Sequence, residues 1–309
     1  MSISATARLS RARRQQFGVF TPKLAEAAGV NRTQVRRLLQ RGDIERLFPA
    51  VYGLTAIPDS WERRAIAAQL AGGGPAVLSH GAAAKIHGLQ HLATRNPALE
   101  LTYPRDARPK DPPVRAHESY IMTPDDIVSV GCFLVTSALF TIGALALRRP
   151  PVIIAKAIDA AVVDRRTTVA DVRELIVRMW HTPGVVCLRE ALHLMTPGAE
   201  LTRSEMERLF LRICELFGLP RPEVNVRVVD ANGDVRYVDF LFREVGLVVE
   251  INAHPAHGTT LGVRLDGSRQ NALTPRFQVL NYDGADLTDR PEVVAKEVRR
   301  ALDELGSSH

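Results

Sequence analysis

Residues 21–54 have the sequence TPKLAEAAGVNRTQVRRLLQRGDIERLFPAVYGL, which decides the fold of the first part of this chain. Thr21 precedes a proline, and this pair favours the start of a helix because proline fits the first helical turn. Gly29 permits a tight turn, and Asn31 is a good N-terminal cap for a second helix over residues 32–40. The pattern therefore predicts two short helices joined by a tight turn.

A hairpin is predicted after the second helix. Gly42 ends that helix, and residues 44–54 combine apolar and aromatic residues around a proline. Within the helix, Val35, Leu38 and Leu39 have the i, i+3, i+4 spacing of a buried stripe. Helix, turn, capped helix and hairpin is the order of a winged helix-turn-helix, whose second helix enters the DNA major groove. A generic helical hairpin is the alternative.

The polar side chains of the second helix are the candidate DNA contacts. In a helix-turn-helix the first residues of this helix face base edges, whereas basic residues further along hold phosphates and set the register. The expected contacts are Arg32, Thr33 and Gln34 for the bases, and Arg36, Arg37 and Arg41 for the phosphates.

The positive charge of the chain is concentrated in its first 46 residues. That segment has ten basic and three acidic residues, a net charge of +7, whereas the whole chain has a net charge of +6. A short basic module on a near-neutral body is expected of a protein that binds a polyanion, since each neutralised phosphate releases counterions. Double-stranded DNA is therefore the expected partner, and a solvated arginine-rich tail is the alternative.

Composition places the chain among globular proteins. Its 309 residues are more than one domain with a single core usually contains, and 46% of them are hydrophobic. The three cysteines form no CxxC pair, which favours a reducing compartment, and we expect a cytoplasmic protein. Residues 127–147 carry no charge and are long enough to span a bilayer, but a strand followed by a capped, buried helix fits them better. We expect no membrane association.

The middle of the chain, residues 57–199, predicts a mixed α/β and helical domain. Its three histidines at the start, His80, His87 and His91, are isolated from other candidate ligands in sequence. We expect surface or packing roles for them.

The last hundred residues predict the order αβββαβα. If residues 243–246 form the turn of a hairpin, Asp239 lies opposite Glu250 on the neighbouring strand. Two opposed carboxylates repel each other, so a divalent cation or a nearby arginine must compensate for their charge. Because side chains alternate along a strand, the face opposite Asp239 is predicted to carry Val238, Phe240 and Phe242.

Several short motifs in the first 95 residues are similar to a known family. They are Phe20-Thr21-Pro22, the runs 29–33 and 41–46, Gly53, and the segment from Ala76-Val77-Leu78-Ser79-His80 to Leu89. These motifs resemble the N-terminal part of AbiEi-type antitoxins, and Val135-Thr136-Ser137 resembles a strand-to-helix step of the same family. The resemblance implies a DNA-binding autorepressor from a toxin–antitoxin pair, with a toxin protein as partner.

Residues 204–287 resemble very-short-patch-repair-like endonuclease domains of the PD-(D/E)xK class. The matching positions are Ser204, Glu207, Val238-Asp239-Phe240, Val248-Val249-Glu250, His257-Gly258, Asp266 and Arg269. The resemblance implies Asp239 and Glu250 as ligands of Mg²⁺, Glu207 as an acidic helper and His257 as a proton carrier. In such enzymes the ion activates water for phosphodiester hydrolysis.

One candidate catalytic position departs from the nuclease pattern. Asn252 stands where the class has lysine and this branch more often aspartate, and Ala253 replaces a glycine. Asparagine does not ionise, so it is a poor general base and a weaker metal ligand. The site either survives on the two acids and a histidine, or persists as an inactive scaffold. A zinc site formed by His254 and His257 alone is a poor match.

Together these patterns predict a multidomain α+β protein. We expect a winged helix-turn-helix at residues 1–56, the mixed α/β and helical domain at 57–199, and a restriction-endonuclease-like αβββαβα domain at 200–309. The predicted function is that of a DNA-binding transcriptional autorepressor, the antitoxin of a type IV-like toxin–antitoxin system. Among its partners, a second copy of the chain in a homodimer is a further hypothesis. The alternatives are a Mg²⁺-dependent endonuclease targeted by the winged helix, and a protein-binding module whose main contact is the toxin.

Overall fold

The structure, a computed structural model, describes residues 4–195, 203–230, 233–252 and 276–307. The chain forms two compact units, Met1–Thr167 and Thr168–His309. This division falls inside the segment predicted as the middle domain, whose boundaries stay predictions.

The first unit begins with three helices and a small sheet. The helices are α1 (Ala5–Arg13), α2 (Pro22–Ala27) and α3 (Arg32–Arg41), with a 3-10 turn at Arg14–Gln16. The strands are β1 (Val19–Phe20), β2 (Ile44–Phe48) and β3 (Val51–Leu54), antiparallel in the order β1-β3-β2. The two helices, the turn between them and the hairpin lie where the sequence predicts them. The strand β1 was not predicted.

Caps determine where α2 and α3 begin and end. The Oγ1 atom of Thr21 accepts the N–H of Leu24 at 3.4 Å. At α3, Asn31 Oδ1 accepts the N–H of Gln34, and Gln34 Oε1 accepts the N–H of Asn31, both at 2.9 Å, which completes a capping box. Gly42 ends α3 with a φ of 75°, in the left-handed region that glycine adopts without strain. The core beneath these elements consists of Leu9, Phe20, Ala25, Val30, Val35, Leu38, Ile44 and Leu54.

A second, five-stranded sheet completes the first unit. The helices around it are α4 (Trp61–Gly72), α5 (His80–His87), α6 (Ala138–Leu145) and α7 (Pro151–Val163). Its strands are β4 (Val77–Leu78), β5 (Glu100–Pro104), β6 (Arg115–Ser119), β7 (Ile127–Val130) and β8 (Phe133–Thr136), in the order β6-β5-β4-β8-β7. The β5–β6 and β4–β8 pairs are parallel, and the other two pairs are antiparallel.

The uncharged stretch 127–147 folds into β7, β8 and α6. Ser137 caps α6, because its side chain accepts the N–H of Phe140 at 3.2 Å. Among the helices described, none has both the length and the apolar character needed to cross a bilayer. The three cysteines, all in the described part of the chain, form no disulfide.

The second unit packs helices on a four-stranded sheet. Its helices are α8 (Val169–Arg178), α9 (Gly184–Met195), α10 (Arg203–Leu216), α11 (Gly284–Asp289) and α12 (Pro291–Gly306). Its strands are β9 (Glu223–Val229), β10 (Val235–Phe242), β11 (Leu247–Asn252) and β12 (Gln278–Asp283), in the order β12-β11-β10-β9. Only the β11–β12 pair is parallel. The short helix α11 was not predicted, and the helix predicted at 267–273 lies outside the described residues.

Strand β10 departs from the predicted alternation. Phe240 lies in the main core of the unit, whereas Val238 belongs to a separate cluster with Leu241. The prediction that Val238 and Phe240 share a face is therefore wrong. The ladder between β9 and β10 skips Asp239, and Asn225 on β9 has a φ of 55° at this point. A left-handed residue in one strand changes the local twist and interrupts regular alternation.

Candidate functional site

A cleft in the first unit gathers basic side chains. It has a volume of about 920 Å³ and lies between α2, α3 and the β2–β3 hairpin. We call it the basic cleft, after its exposed cations Lys23, Arg32, Arg36 and Arg46. Glu26 is the acidic residue of its lining. Within the described part of the chain, none of the four cations forms an ion pair, so their charge is available to a ligand.

The outer face of α3 continues this positive surface. Thr33 and Arg37 are exposed on α3, as are Arg32 and Arg36. Because consecutive helical residues are about 100° apart, these four positions form two adjacent rows on one side of the helix. The helix thus presents one row to the basic cleft and the next row outward.

Two further predicted contact residues have partners within the protein. The Oε1 atom of Gln34 is used by the capping box, which leaves its amide hydrogens for any external contact. The Nε atom of Arg41 lies 3.3 Å from Oδ2 of Asp43, but the arginine side chain is 73% exposed. Both residues stay candidate contacts, with fewer groups available than the sequence suggests.

The hairpin holds one cation at the edge of the basic cleft. Arg46 and Tyr52 are cross-strand partners, and the Arg46 guanidinium carbon lies 5.9 Å from the centre of the tyrosine ring. Tyr52 in turn stacks on Phe20, with the ring centres 5.9 Å apart. This cation–π contact orients the guanidinium group.

A buried arginine that the sequence did not single out fixes the hairpin in place. Arg63 on α4 donates from Nη1 to Glu45 Oε1 and from Nη2 to the carbonyl of Leu54, both at 2.9 Å. Its side chain is only 3% exposed. A Cβ atom at Gly53 would lie 2.3 Å from Nη2 of Arg63, so glycine is needed there. A glycine inside a strand often marks the close approach of another group, so Gly53 was the sequence signal for the buried Arg63.

The outer face of α3 and most of the residues that line the basic cleft lie in a segment that matches a known family. Residues 7–55 match the family described as "Transcriptional regulator, AbiEi antitoxin". The matched AbiEi segment begins within α1 and ends directly after β3. The predicted resemblance is confirmed for these residues. No curated protein matches the chain.

Outside the AbiEi segment, the second unit contains the acids predicted for a nuclease site. Asp239 is buried, and its Oδ2 atom accepts the N–H of Ile251 at 2.9 Å. Its Oδ1 atom forms an ion pair with Arg203, whose Nε atom lies 3.3 Å from Oε1 of Glu207. One guanidinium group thus joins two of the predicted site residues. Arg203 and Glu207 also line a shallow cleft of about 570 Å³, together with Ser204, Asn225 and Tyr237.

The remaining predicted site residues occupy neighbouring strands. The predicted register is confirmed for residues 240–242 against 247–249. Glu250 is half-buried and lies opposite Asn281 on β12, and Asn252 is exposed at the end of β11. His257 lies outside the described residues.

The described residues do not fit a Mg²⁺ ion as they stand. The Arg203 guanidinium contacts the carboxylates of Asp239 and Glu207. Among the residues described, no group of three candidate metal ligands includes Asp239 or Glu250. Of the two predicted acids, Asp239 has an arginine beside it, Arg203.

A second polar cluster lies in the first unit, and the sequence did not predict it. His80, Glu100 and His117, which we call the histidine cluster, come from α5, β5 and β6. His117 Nε2 lies 3.4 Å from Glu100 Oε1, and His80 Nδ1 lies 4.0 Å from Glu100 Oε2. The Nη1 atom of Arg148 lies 2.9 Å from both oxygens of Glu100.

The protonation states in the histidine cluster follow from its burial. Burial lowers the pKa of His80 and of His117 below the ordinary value, so both imidazoles are neutral at neutral pH. Burial opposes the ionisation of Glu100, but the hydrogen bond from Arg148 holds the pKa of this carboxyl below its ordinary value. Glu100 is therefore a carboxylate.

The expectation that His80 is isolated is wrong. Parallel pairing of β5 with β6 brings Glu100 and His117 to one face, a juxtaposition that sequence spacing does not reveal. The other two histidines have the expected roles. His87 lies with Nε2 2.7 Å from the carbonyl of Thr136, and His91 is exposed at the surface.

Proposed function

We propose that this protein is a DNA-binding transcriptional regulator whose AbiEi segment acts as a winged helix-turn-helix on double-stranded DNA. The observation that carries the proposal is the basic cleft, in which four exposed cations stand between α3 and the hairpin. Uncompensated cations on a concave surface attract a phosphate backbone and release its counterions. The family match to an antitoxin transcriptional regulator supports the same function.

The geometry suggests a division of labour along α3. Its N-terminal residues Arg32 and Thr33 would reach base edges in the major groove, as the same positions do in other helix-turn-helix proteins. Arg36 and Arg37 would hold phosphates on either side of the groove. Arg46 on the hairpin would contact the backbone at the next turn of the groove, as a wing does.

Charge reversal at α3 tests this function. Arg36→Glu combined with Arg37→Glu should weaken binding to duplex DNA from upstream of the protein's own gene. It should also lower the slope of log K against log salt by about 2, since about one counterion is released per phosphate contact. Arg105→Glu combined with Arg108→Glu, on the β5–β6 connection, makes the same charge change away from the cleft and serves as the control. Equal losses in the two double variants would contradict the proposal.

Repression of its own gene and inhibition by a partner toxin are the finer parts of the proposal. They rest on the AbiEi family description and imply a toxin protein encoded beside this gene. Co-expression of the adjacent gene product with this chain tests the partnership: a stable complex and relief of growth inhibition are expected. A homodimer stays a prediction, and light scattering of the purified chain measures it.

For the second unit we propose a nuclease-like scaffold that binds a partner or further DNA without hydrolysing it. The support is Arg203, which forms ion pairs with the carboxylates of Asp239 and Glu207. The Mg²⁺-dependent endonuclease is the alternative, and plasmid nicking in Mg²⁺ or Mn²⁺ decides between the two. Nicking that disappears in both Asp239→Ala and Glu250→Ala would establish the enzyme. No nicking with either ion is expected for the scaffold.

A further inference from the structure

The histidine cluster brings together the donor atoms of a metal site. Two imidazoles and one carboxylate are a ligand set found at zinc centres that keep one open position. Each residue of the cluster offers one ligand atom, and these atoms all lie within 4.8 Å of one another. In the described residues this is the one group of three or more histidine, cysteine, aspartate or glutamate side chains with that geometry.

The distances are close to those of a loaded site. Ligand bonds of about 2.0–2.2 Å place two ligand atoms of a tetrahedral zinc site about 3.3–3.5 Å apart. His117 Nε2 and Glu100 Oε1 already have this separation, at 3.4 Å. His80 Nδ1 lies 4.0 Å from the other carboxylate oxygen, Oε2, and 2.9 Å from Oγ of Ser79. To bind the same ion, His80 must exchange that hydrogen bond for the metal and move toward Oε1.

An independent observation points to a ligand at the same place. Thr102 is 2% exposed, and its Oγ1 atom has no hydrogen-bond partner among the described residues. Thr102 lies two residues after Glu100 on β5, and its partner in the β5–β6 register is His117. Glu100, Thr102 and His117 therefore share one face of the sheet. A buried hydroxyl without a partner costs free energy, and a metal-bound water or anion beside it would remove that cost.

The neighbouring arginines set a condition on what can bind. Arg148 and Arg115 both contact the Glu100 carboxylate, with Arg115 Nε at 3.5 Å. Glu100 carries one negative charge and the two arginines carry two positive charges. A divalent ion whose fourth ligand is neutral would therefore leave the cluster with excess positive charge. An anionic fourth ligand would lower this excess, and Arg115, whose side chain is 69% exposed, is available to hold that anion. Arg148 would orient Glu100 from behind, as hydrogen-bond donors do around metal ligands.

We propose that His80, Glu100 and His117 bind one divalent transition-metal ion, with Zn²⁺ as the best match to the ligand set. The fourth position takes water or a small anion. This site is separate from the basic cleft, because its ligands come from α5, β5 and β6. It is also separate from the acids of the second unit.

Metal titration of the full chain tests the proposal. After removal of metals with a chelator, Co²⁺ should bind with a stoichiometry of one, give the visible absorption of a tetrahedral or five-coordinate ion, and be displaced by Zn²⁺. His80→Ala and His117→Ala should each weaken binding by more than about 100-fold, since even outer-shell changes cost 10–100-fold. Zn²⁺ should raise the melting temperature of the wild type but not of these variants.

Two controls make the result specific. His91→Ala removes an exposed histidine from the same unit and should leave affinity and stoichiometry unchanged. The double variant His254→Ala/His257→Ala tests the other histidine pair of the sequence and should also bind one ion. Absence of stoichiometric binding to the wild type would overturn the proposal, and so would wild-type affinity in His117→Ala.

Discussion

Replacing Arg63 by methionine should destabilise the first unit by disconnecting the hairpin from α4. Methionine keeps an unbranched side chain for packing but removes both donors. Hydrogen bonds to charged groups contribute about 1.5–3 kcal/mol each. The lower value applies here, because Glu45 is 49% exposed and returns to water, and the Leu54 carbonyl keeps a second donor, the N–H of Ile57 at 3.1 Å. The expected loss is about 3 kcal/mol.

A loss of that size is measurable as a shift in melting temperature. One kcal/mol corresponds to about 2–4 °C for a domain of about 150–250 residues, so a decrease of about 6–12 °C is expected for the first unit. Trp61 lies in the first unit and Trp180 in the second, so Trp61 fluorescence in a Trp180→Phe background reports on the first unit alone. Binding to duplex DNA should weaken in parallel, because Arg63 holds the strands that carry Arg46.

The neighbouring residue supplies a matched control. Arg64 lies 3.1 Å from Asp59, but the two side chains are 52% and 60% exposed. Exposed ion pairs contribute about 0–1 kcal/mol, so Arg64→Met should shift the melting temperature by at most a few degrees. Equal shifts in the Arg63 and Arg64 variants would refute the reasoning, because burial of the arginine would then have no energetic consequence.

Two further predictions concern the same unit. Gly42→Ala should lower the free energy of unfolding by about 1 kcal/mol, measured by chemical denaturation, because the φ of 75° strains alanine. Gly74→Ala should lower it less, because the backbone there is not left-handed and the space is open. Equal losses in the two variants would contradict this. Burial lowers the pKa of His87 below the value of about 6.5 in the unfolded chain, so its contribution to stability is complete above that pH and decreases as pH falls. The difference in unfolding free energy between wild type and His87→Gln should therefore shrink from pH 8 to about pH 5, and a constant difference would contradict the cause given.

Local signals predicted much of the fold. The caps at Thr21 and Asn31 and the stop at Gly42 act within a few residues, so the helices of the AbiEi segment could be located from sequence. The same holds for the register of β10 against β11, because a short turn determines the pairing of its flanking strands. The irregularity at Asp239 could not be predicted, since it depends on the left-handed conformation of Asn225 on another strand.

The candidate sites divide in the same way. The basic residues of α3 were identified because they follow one another on a helix whose buried face the sequence reveals. The role of Arg203 was missed, because this arginine reaches Asp239 from 36 positions away. The sequence predicts an arginine as one way to compensate the acids, but linear spacing does not reveal which arginine it is.

The sequence by itself determined the local part of this protein: where the helices begin and end, that charge accumulates in the first 46 residues, and which segment resembles AbiEi antitoxins. Propensity, capping and composition act over short distances along the chain, so they can be inferred without coordinates. Only the tertiary structure decided which side chains meet. Burial of Arg63 under the hairpin, Arg203 between two carboxylates and the histidine cluster all join residues far apart in sequence. Their contacts exist because strand pairing and core packing bring distant segments together.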